Sequence, residues 1–203
     1  MFADDLKSAL KKNYTGKVKY AKNWRNRGDK WLTGTHRPVG HLHHHTASAA
    51  TQSRDPQNKG NQPGANKATV QWVVNPGSDH AWANAVIDRD GTITICGINA
   101  QYHAGLGSFG GTRWESLGVA KDMGNRHLWG TELVSQGKTK DLTKAQLKAL
   151  DALNVSLREA CNWNGFKLRC MNHKDWTTRK SDTLYPWKKW VRRSRKAWLL
   201  RTR

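Results

Sequence analysis

A run of histidines at the end of one short segment restricts the fold more than any other feature of this chain. Residues 38–45 read Pro-Val-Gly-His-Leu-His-His-His and have the length and composition of a single β-strand. Because side chains alternate between the two faces of a strand, His44 is expected on one face. The other face then carries His41, His43 and His45. A strand-end histidine that faces a cleft is a suitable zinc ligand, whereas the competing interpretation is a polar strand end that holds no metal.

The rest of the chain alternates between strand and helix signals. Residues 84–95 predict a β-hairpin, because the Asp-Gly pair at 90–91 supplies the positive φ of a tight turn. Residues 143–164 predict an amphipathic helix that starts with a capping box. We therefore predict an α/β single domain in which a central mixed β-sheet is flanked by helices. The other predicted elements are helices at 67–74 and from 186 onward, strands at 130–134 and 166–171, and a glycine-rich surface loop at 104–126.

The length of 203 residues fits one domain. We divide it into a basic N-terminal arm (1–36), a core (37–185) and a basic, tryptophan-rich C-terminal helix (186–203). No apolar run is long enough to span a membrane, and the first twenty residues lack the apolar centre of a signal peptide. We therefore expect the protein to stay in the cytoplasm until something else releases it. The three cysteines are too few and too scattered for a disulfide framework and are expected to be buried apolar fillers: Cys96, Cys161 and Cys170.

The charge of the chain indicates an anionic partner. Lys and Arg number 35 against 15 Asp and Glu, so the formal net charge is +20. Nucleic acid, an anionic lipid surface and an anionic cell-wall polymer all fit this charge. The segment 187–193 is compatible with three roles, namely the last helix of the domain, an electrostatic anchor to a wall or membrane, and a nucleic-acid contact.

A second candidate site lies near the C-terminus. His173 and Asp182 are nine residues apart, with a basic loop between them, and both are able to reach one ion. Two histidines and one carboxylate, with a fourth position left for water, form a hydrolytic zinc site. Lys180 would then lie near a developing oxyanion. The competing interpretation makes Arg179 and Lys180 solvated charges that pair with Asp182.

Together with Glu132 on a strand between them, these motifs resemble the zinc-dependent N-acetylmuramoyl-L-alanine amidases of the type 2 class. That family includes phage endolysins, a bacterial cell-wall recycling amidase and the peptidoglycan recognition proteins. Residues 24–28 also resemble the segment that precedes the first histidine motif in actinobacterial phage endolysins. The resemblance covers residues 38–185, and its specificity comes from the order and spacing of the motifs. The matching stretches are HHTAS at 44–48, NAVIDRDGTI at 84–93, YHAG at 102–105, Asn125, GTEL at 130–133, HKDW at 173–176 and RKSD at 179–182.

The resemblance implies a zinc site made of His44, His173 and Asp182. His44 is preferred to His45 because the first histidine of the family's motif binds the metal. The resemblance also implies the reaction, which is hydrolysis of the amide bond between N-acetylmuramic acid and L-alanine in bacterial peptidoglycan. Zinc would polarise the scissile carbonyl and lower the pKa of its water toward about 7.

The resemblance assigns further roles within the same site. Glu132 corresponds to the acidic residue that activates water, and Lys180 corresponds to a lysine that stabilises the oxyanion. His103 is a candidate for the substrate groove or for a contact behind a zinc ligand, and a plain structural role is equally compatible. Some family members have a catalytic tyrosine before the hairpin, where this chain has Ala-Asn-Ala at 83–85. Trp82 or Tyr102 would have to substitute for it, and the usual Asp-Pro at the last ligand is Asp-Thr here.

These inferences lead to one main function and two competitors. The main prediction is a monomeric phage endolysin that is stored in the host cytoplasm, is released through a holin and acts on peptidoglycan without contacting nucleic acid. The first competitor is a catalytically silent peptidoglycan-binding module of the same fold. The second is a basic nucleic-acid-binding protein, which would explain the charge but not the His and Asp spacing.

Overall fold

In the computed structural model, residues 1–32, 36–47, 65–137, 141–163, 169–180 and 182 are described. They form one β-sheet with helices on both of its faces. The helices are α1 (Phe2–Asn13), α2 (Lys67–Val74), α3 (Gly124–His127), α4 (Lys144–Ala160) and α5 (His173–Trp176). The strands are β1 (Val18–Tyr20), β2 (Gly40–His45), β3 (Ala85–Ile87), β4 (Ile93–Ile95), β5 (Leu128–Leu133) and β6 (Cys170–Asn172).

The six strands are arranged in the order β1-β4-β3-β5-β2-β6. The β3–β4 pair is antiparallel because the two strands form a hairpin, and the other four pairs are parallel. The predicted mixed sheet, the predicted hairpin and the predicted helix at 67–74 are therefore confirmed. β2, β5 and β6 run in the same direction, so their carboxyl ends meet at one edge. In open α/β sheets this is the edge at which ligands bind.

The N-terminal region is part of the domain rather than an arm laid on it, as residues 1–36 were predicted to be. Phe2, Leu6 and Leu10 follow one face of α1 and are buried in the same core as α4. Acidic residues in its first turn and lysines in its last turn complement the helix dipole. β1 then pairs with β4 and completes that side of the sheet. Sequence reasoning missed this because three apolar residues are easily overlooked in a polar, basic segment.

The segment 104–126 is not only a surface loop, contrary to the prediction. Phe109, Trp114 and Val119 are buried in a second core cluster against β2, β5 and β6. The chain contains a short 3₁₀ turn at Glu115–Leu117 and then α3. Glycine is needed at Gly107, because a Cβ there would lie 2.5 Å from the carbonyl oxygen of Trp176.

α4 starts where the capping box predicts. Thr143 Oγ1 accepts a hydrogen bond from the backbone N–H of Gln146, and the side chain of Gln146 accepts one from the backbone N–H of Thr143. The helix ends at Ala160, earlier than predicted, and Asn162 adopts a positive φ of 50°. The predicted helix from 186 and the first half of the predicted strand at 166–171 lie outside the described residues, whereas its second half overlaps β6. Among the helices that are described, none has the length and apolarity to cross a membrane.

Candidate active site

Three buried side chains meet beyond the carboxyl ends of β2 and β6. His44 lies at the end of β2, and His173 starts α5 directly after β6. The Nδ1 atoms of the two histidines are 2.9 Å apart. Asp182 Oδ2 lies 3.0 Å from the Nδ1 atom of His173 and 3.4 Å from that of His44. The structure thus brings together the three residues that the sequence analysis proposed as zinc ligands.

The outer ring nitrogen of each histidine is held by a hydrogen bond that sets its tautomer. His173 Nε2 donates to the carbonyl oxygen of Ala104 at 2.9 Å. His103 Nε2 donates to the carbonyl oxygen of Leu128 at 2.8 Å, so His103 Nδ1 is an acceptor. His44 Nε2 lies 3.2 Å from that atom and donates to it. Both metal-site histidines therefore carry their single ring N–H proton on Nε2 and turn an Nδ1 lone pair inward.

Three acceptor atoms thus point at one another, and a cation between them would relieve the repulsion of their lone pairs. Burial lowers the pKa of His44 to about 4, although the carboxylate of Asp182 opposes that shift. Burial alone would raise the pKa of Asp182, but a positive charge at the facing Nδ1 atoms, carried there by a proton when no metal is bound, outweighs it and holds that pKa well below its usual range. Ligands that surround zinc tetrahedrally at about 2.0–2.1 Å lie roughly 3.3 Å from one another. The donor set and its spacing therefore fit a zinc ion.

A second group, His41, His43 and Cys170, is also close enough to hold a metal. Its polar atoms instead surround one amide oxygen, Asn154 Oδ1 on α4. That oxygen lies 2.7 Å from His41 Nδ1, 3.2 Å from His43 Nε2 and 3.1 Å from the thiol of Cys170. His41 Nε2 accepts from the Thr131 hydroxyl at 2.7 Å, which leaves Nδ1 as the donor. An acceptor thus occupies the centre that a cation would need, and this group forms a buried hydrogen-bond network.

The cysteines only partly match their prediction as apolar fillers. All three are free thiols, and Cys96 and Cys170 are buried whereas Cys161 is partly exposed. Two of them also differ from plain fillers, because the thiol of Cys170 donates a hydrogen bond to Asn154 and that of Cys96 donates one to the carbonyl oxygen of Thr94. Asn154 itself is a residue that sequence reasoning missed. Its only sequence signal is a polar side chain on the leucine face of α4.

Glu132 lies on β5 beside His44, its direct neighbour in the parallel register. Both side chains line a cavity of about 390 Å³ that also contains His173 and Asp182. The Oε2 atom of Glu132 is buried and has no hydrogen-bond partner among the described residues. Burial, followed by the negative charge of Asp182, raises the pKa of Glu132 to about 8, and Lys180 opposes this rise.

The basic loop residues lie on the rim of this cavity. Lys180 and Arg179 are exposed, and both line the cavity. Arg179 Nη2 donates to the carbonyl oxygen of Leu106 at 2.6 Å. The carboxylate of Asp182 contacts the two histidines, and it forms no ion pair with a lysine or arginine of the described part of the chain. The interpretation in which Arg179 and Lys180 neutralise Asp182 at the surface is therefore wrong.

The YHAG segment supports the metal-site histidines from behind. Asn125 Oδ1 accepts hydrogen bonds from the backbone N–H groups of His103 and Ala104, at 2.9 and 2.7 Å. These bonds position the His103 ring to accept the hydrogen bond from His44 and the Ala104 carbonyl oxygen to accept the one from His173. Trp82 and Tyr102, the suggested substitutes for the missing tyrosine, both line the cavity. Trp72 lines it as well, and sequence reasoning missed it because a lone exposed aromatic residue on α2 gives no motif.

The comparisons with known proteins agree with this fold and identify the family. The sequence profile of the N-acetylmuramoyl-L-alanine amidase family matches residues 35–185. No curated protein sequence matches the chain significantly. The selenomethionine crystal structure of an AmpD derivative has a TM-score of 0.51 at 18% identity, covering 90% of this chain and 96% of that one.

Two further solved structures are similar. The Staphylococcus aureus hydrolase AmiA, in complex with its ligand, has a TM-score of 0.51 at 14% identity, covering 98% of this chain and 92% of that one. The endolysin LysCS from Clostridium intestinale URNW has a TM-score of 0.49 at 18% identity, covering 89% and 97%. The likeness to AmpD and AmiA places the chain in the class of mixed α/β domains to which those proteins belong.

The profile match extends over most of the chain and includes every residue of the site. The chain therefore belongs to the N-acetylmuramoyl-L-alanine amidase family, as the sequence motifs predicted.

Proposed function

We propose that this chain is a zinc-dependent amidase that cleaves the bond between N-acetylmuramic acid and L-alanine in bacterial peptidoglycan. The observation that carries the proposal is the convergence of three acceptor atoms, from His44, His173 and Asp182, in a buried pocket at the strand ends. When bound there, zinc supplies a Lewis acid for the scissile carbonyl and for the attacking water.

Glu132 acts as the general base and then as the general acid. Its side chain lines the same cavity as the three ligands, and its buried Oε2 is not engaged by another described residue. It takes a proton from the attacking water and delivers that proton to the amine of the departing L-alanine. A positioned carboxyl group of this kind contributes about 10²–10⁴-fold to the rate.

Lys180 stabilises the oxyanion that forms on the scissile carbonyl. Its ammonium group is on the rim of the cavity, and its charge reaches the interior, since it lowers the pKa of Glu132. Removal of one such donor typically costs about 10²–10³-fold in kcat. His103 and the Ala104 carbonyl do not touch the reacting atoms in this proposal and act by orienting the ligands.

The test is digestion of purified peptidoglycan by the full chain, before and after chelation and after zinc is added back. New L-alanine amino termini, zinc-dependent and lost in His173→Ala and Asp182→Ala, support the proposal. His127→Ala is the matched control, since this histidine lies in α3 and not among the residues of the cavity. New reducing sugar ends would instead show a glycosidase. Wall binding without release of either product would show a silent binding module.

We also propose that the enzyme is a phage endolysin, stored as a monomer in the host cytoplasm until the membrane is breached. The resemblance of residues 24–28 to endolysins supports this role, and the net charge of +20 suits an anionic wall. Host cells that express the chain should lyse only after their membrane is permeabilised, and cells that express Asp182→Ala should not lyse. If binding to isolated walls is unchanged at high salt, the proposal that the net charge attracts the chain to the wall is wrong.

A further inference from the structure

The exposed apolar side chains of the described residues are concentrated at the cleft. The large apolar side chains that remain exposed are Met1, Leu32, Trp72, Trp82, Tyr102 and Leu106. Trp72, Trp82 and Tyr102 line the cavity of the metal-site histidines, and Leu106 lines the cavity next to it. Apolar surface that is left exposed around a concave site typically marks a place where a ligand binds.

The fold itself holds Trp72 and Trp82 outward. α2 turns Val73 and Val74 into the core, which leaves Trp72 on the open side with 52% of its surface exposed. The neighbours of Trp82, Ala81 and Ala83, are fully buried, whereas Trp82 itself keeps 37% of its surface exposed.

The two indole rings form one surface. Their centroids are 6.0 Å apart and their planes differ by 40°. The backbone N–H of Trp82 donates to the carbonyl oxygen of Val73 at 3.0 Å, which ties the loop to α2 and fixes the two rings relative to each other. This surface is preformed, and neither ring is required to fill the core.

We propose that Trp72 and Trp82 form a saccharide subsite that binds the glycan part of the substrate. The inference rests on the proposed function, because the amide bond cleaved there joins an amino sugar on one side to a peptide on the other. A pyranose ring has a flat face of C–H groups and carries its hydroxyl groups around the edge. An indole ring offers the matching apolar face and one N–H donor.

A second cavity, next to the first, suits the peptide. It is a cavity of about 440 Å³ that shares Trp82 and Tyr102 with the first cavity and extends to Leu106 and Thr177. Arg179 and Lys180 line both cavities. Peptide stems of peptidoglycan carry carboxylates, which pair with these cations, whereas the sugars carry few charges. Because both cavities share these cations, the indole pair sets the direction. The glycan lies toward Trp72, which lines only the first of the two cavities, and the peptide lies toward Leu106, which lines only the second.

The first test measures binding without turnover. The disaccharide N-acetylglucosaminyl-N-acetylmuramic acid, which has no peptide, is titrated into the full chain by calorimetry. Trp72→Ala and Trp82→Ala should each weaken binding by about tenfold, the loss expected for one aromatic contact. Trp72→Phe should retain most of the affinity because it keeps an aromatic face. Leu32→Ala is the control, since Leu32 is 50% exposed but is not among the residues that line the cleft.

The second test compares two substrates, the disaccharide-peptide and a lactyl-peptide that lacks both sugars. Trp72→Ala should raise KM about tenfold for the disaccharide-peptide and leave the lactyl-peptide unaffected. Trp82→Ala should raise KM more for the disaccharide-peptide than for the lactyl-peptide, because Trp82 lines both cavities. Equal losses on both substrates would show that the rings bind peptide and would overturn the proposal. Unchanged disaccharide binding in both alanine variants would also overturn it. If the wild-type chain binds the disaccharide through these rings but cleaves neither substrate, the proposed amidase function is refuted and the saccharide subsite is not.

Discussion

Removing the hydrogen bond between His44 and His103 tests directly how the metal site is built. His103→Phe removes the acceptor Nδ1 but keeps a flat ring against Gly130, where an added Cβ would lie 2.3 Å from the His103 ring. Without that acceptor, His44 has two options. It keeps its Nε2 proton as a buried unpaired donor, which costs about 1–3 kcal/mol, or it moves the proton to Nδ1 and blocks the atom that binds zinc.

Both options weaken zinc binding. The loss of an outer hydrogen-bond partner of a metal-bound histidine typically reduces metal affinity by about 10–100-fold, or about 1.4–2.7 kcal/mol. We therefore expect the zinc Kd of His103→Phe to rise by that factor, with activity largely restored at saturating zinc. His103→Gln should recover part of the affinity, because its amide oxygen is able to accept the same hydrogen bond.

The assay is competition for zinc between the metal-stripped protein and a chelating dye, together with activity as a function of free zinc. His127→Phe is the matched control outside the cleft. A normal zinc Kd combined with a raised KM would refute the tautomer argument and show that His103 contacts the substrate. A normal zinc Kd with normal kinetics would mean that His103 only fills space.

Three further outcomes are expected. Glu132→Gln should lower kcat by about 10²–10⁴-fold with full zinc content, and retention of the rate would exclude Glu132 as the base. Leu6→Ala should lower the free energy of unfolding in urea by about 2–5 kcal/mol, because this side chain of α1 is 1% exposed and packs in the same core as α4. The control Leu32→Ala should change that free energy by less than about 0.5 kcal/mol. Asn154→Leu should destabilise the fold by about 1–3 kcal/mol for each of the three donors left without their shared acceptor, and a near-neutral result in the same urea assay would mean that they find other partners.

Local patterns in the sequence were sufficient to predict much of the fold. The Asp-Gly pair, the capping box at Thr143 and the alternation around His44 each depend on neighbours in the chain, and each was confirmed. α1 and the buried part of the 104–126 segment were not foreseen. Their apolar residues are sparse, and they become core only because distant elements, α4 and β6, cover them.

The site, too, was predictable from the sequence only in part. His44, His173 and Asp182 were proposed through a family resemblance, and the structure brings all three together. The groups that orient the histidines, the carbonyl oxygens of Ala104 and Leu128, have no sequence signal, because every residue carries a carbonyl. Their role depends on three-dimensional position alone, and so does the pairing of Trp72 with Trp82.

The position of β1 has a consequence for any shortened form of this protein. β1 and α1 lie before the segment that matches the family, 35–185, yet β1 covers the outer edge of β4. A chain trimmed to the family limits would present β4, with Ile93 and Ile95, as an open strand next to an uncovered apolar face of α4. Open apolar strand edges promote edge-to-edge association between molecules. The boundaries of the family are therefore not boundaries at which this chain can be cut and remain soluble.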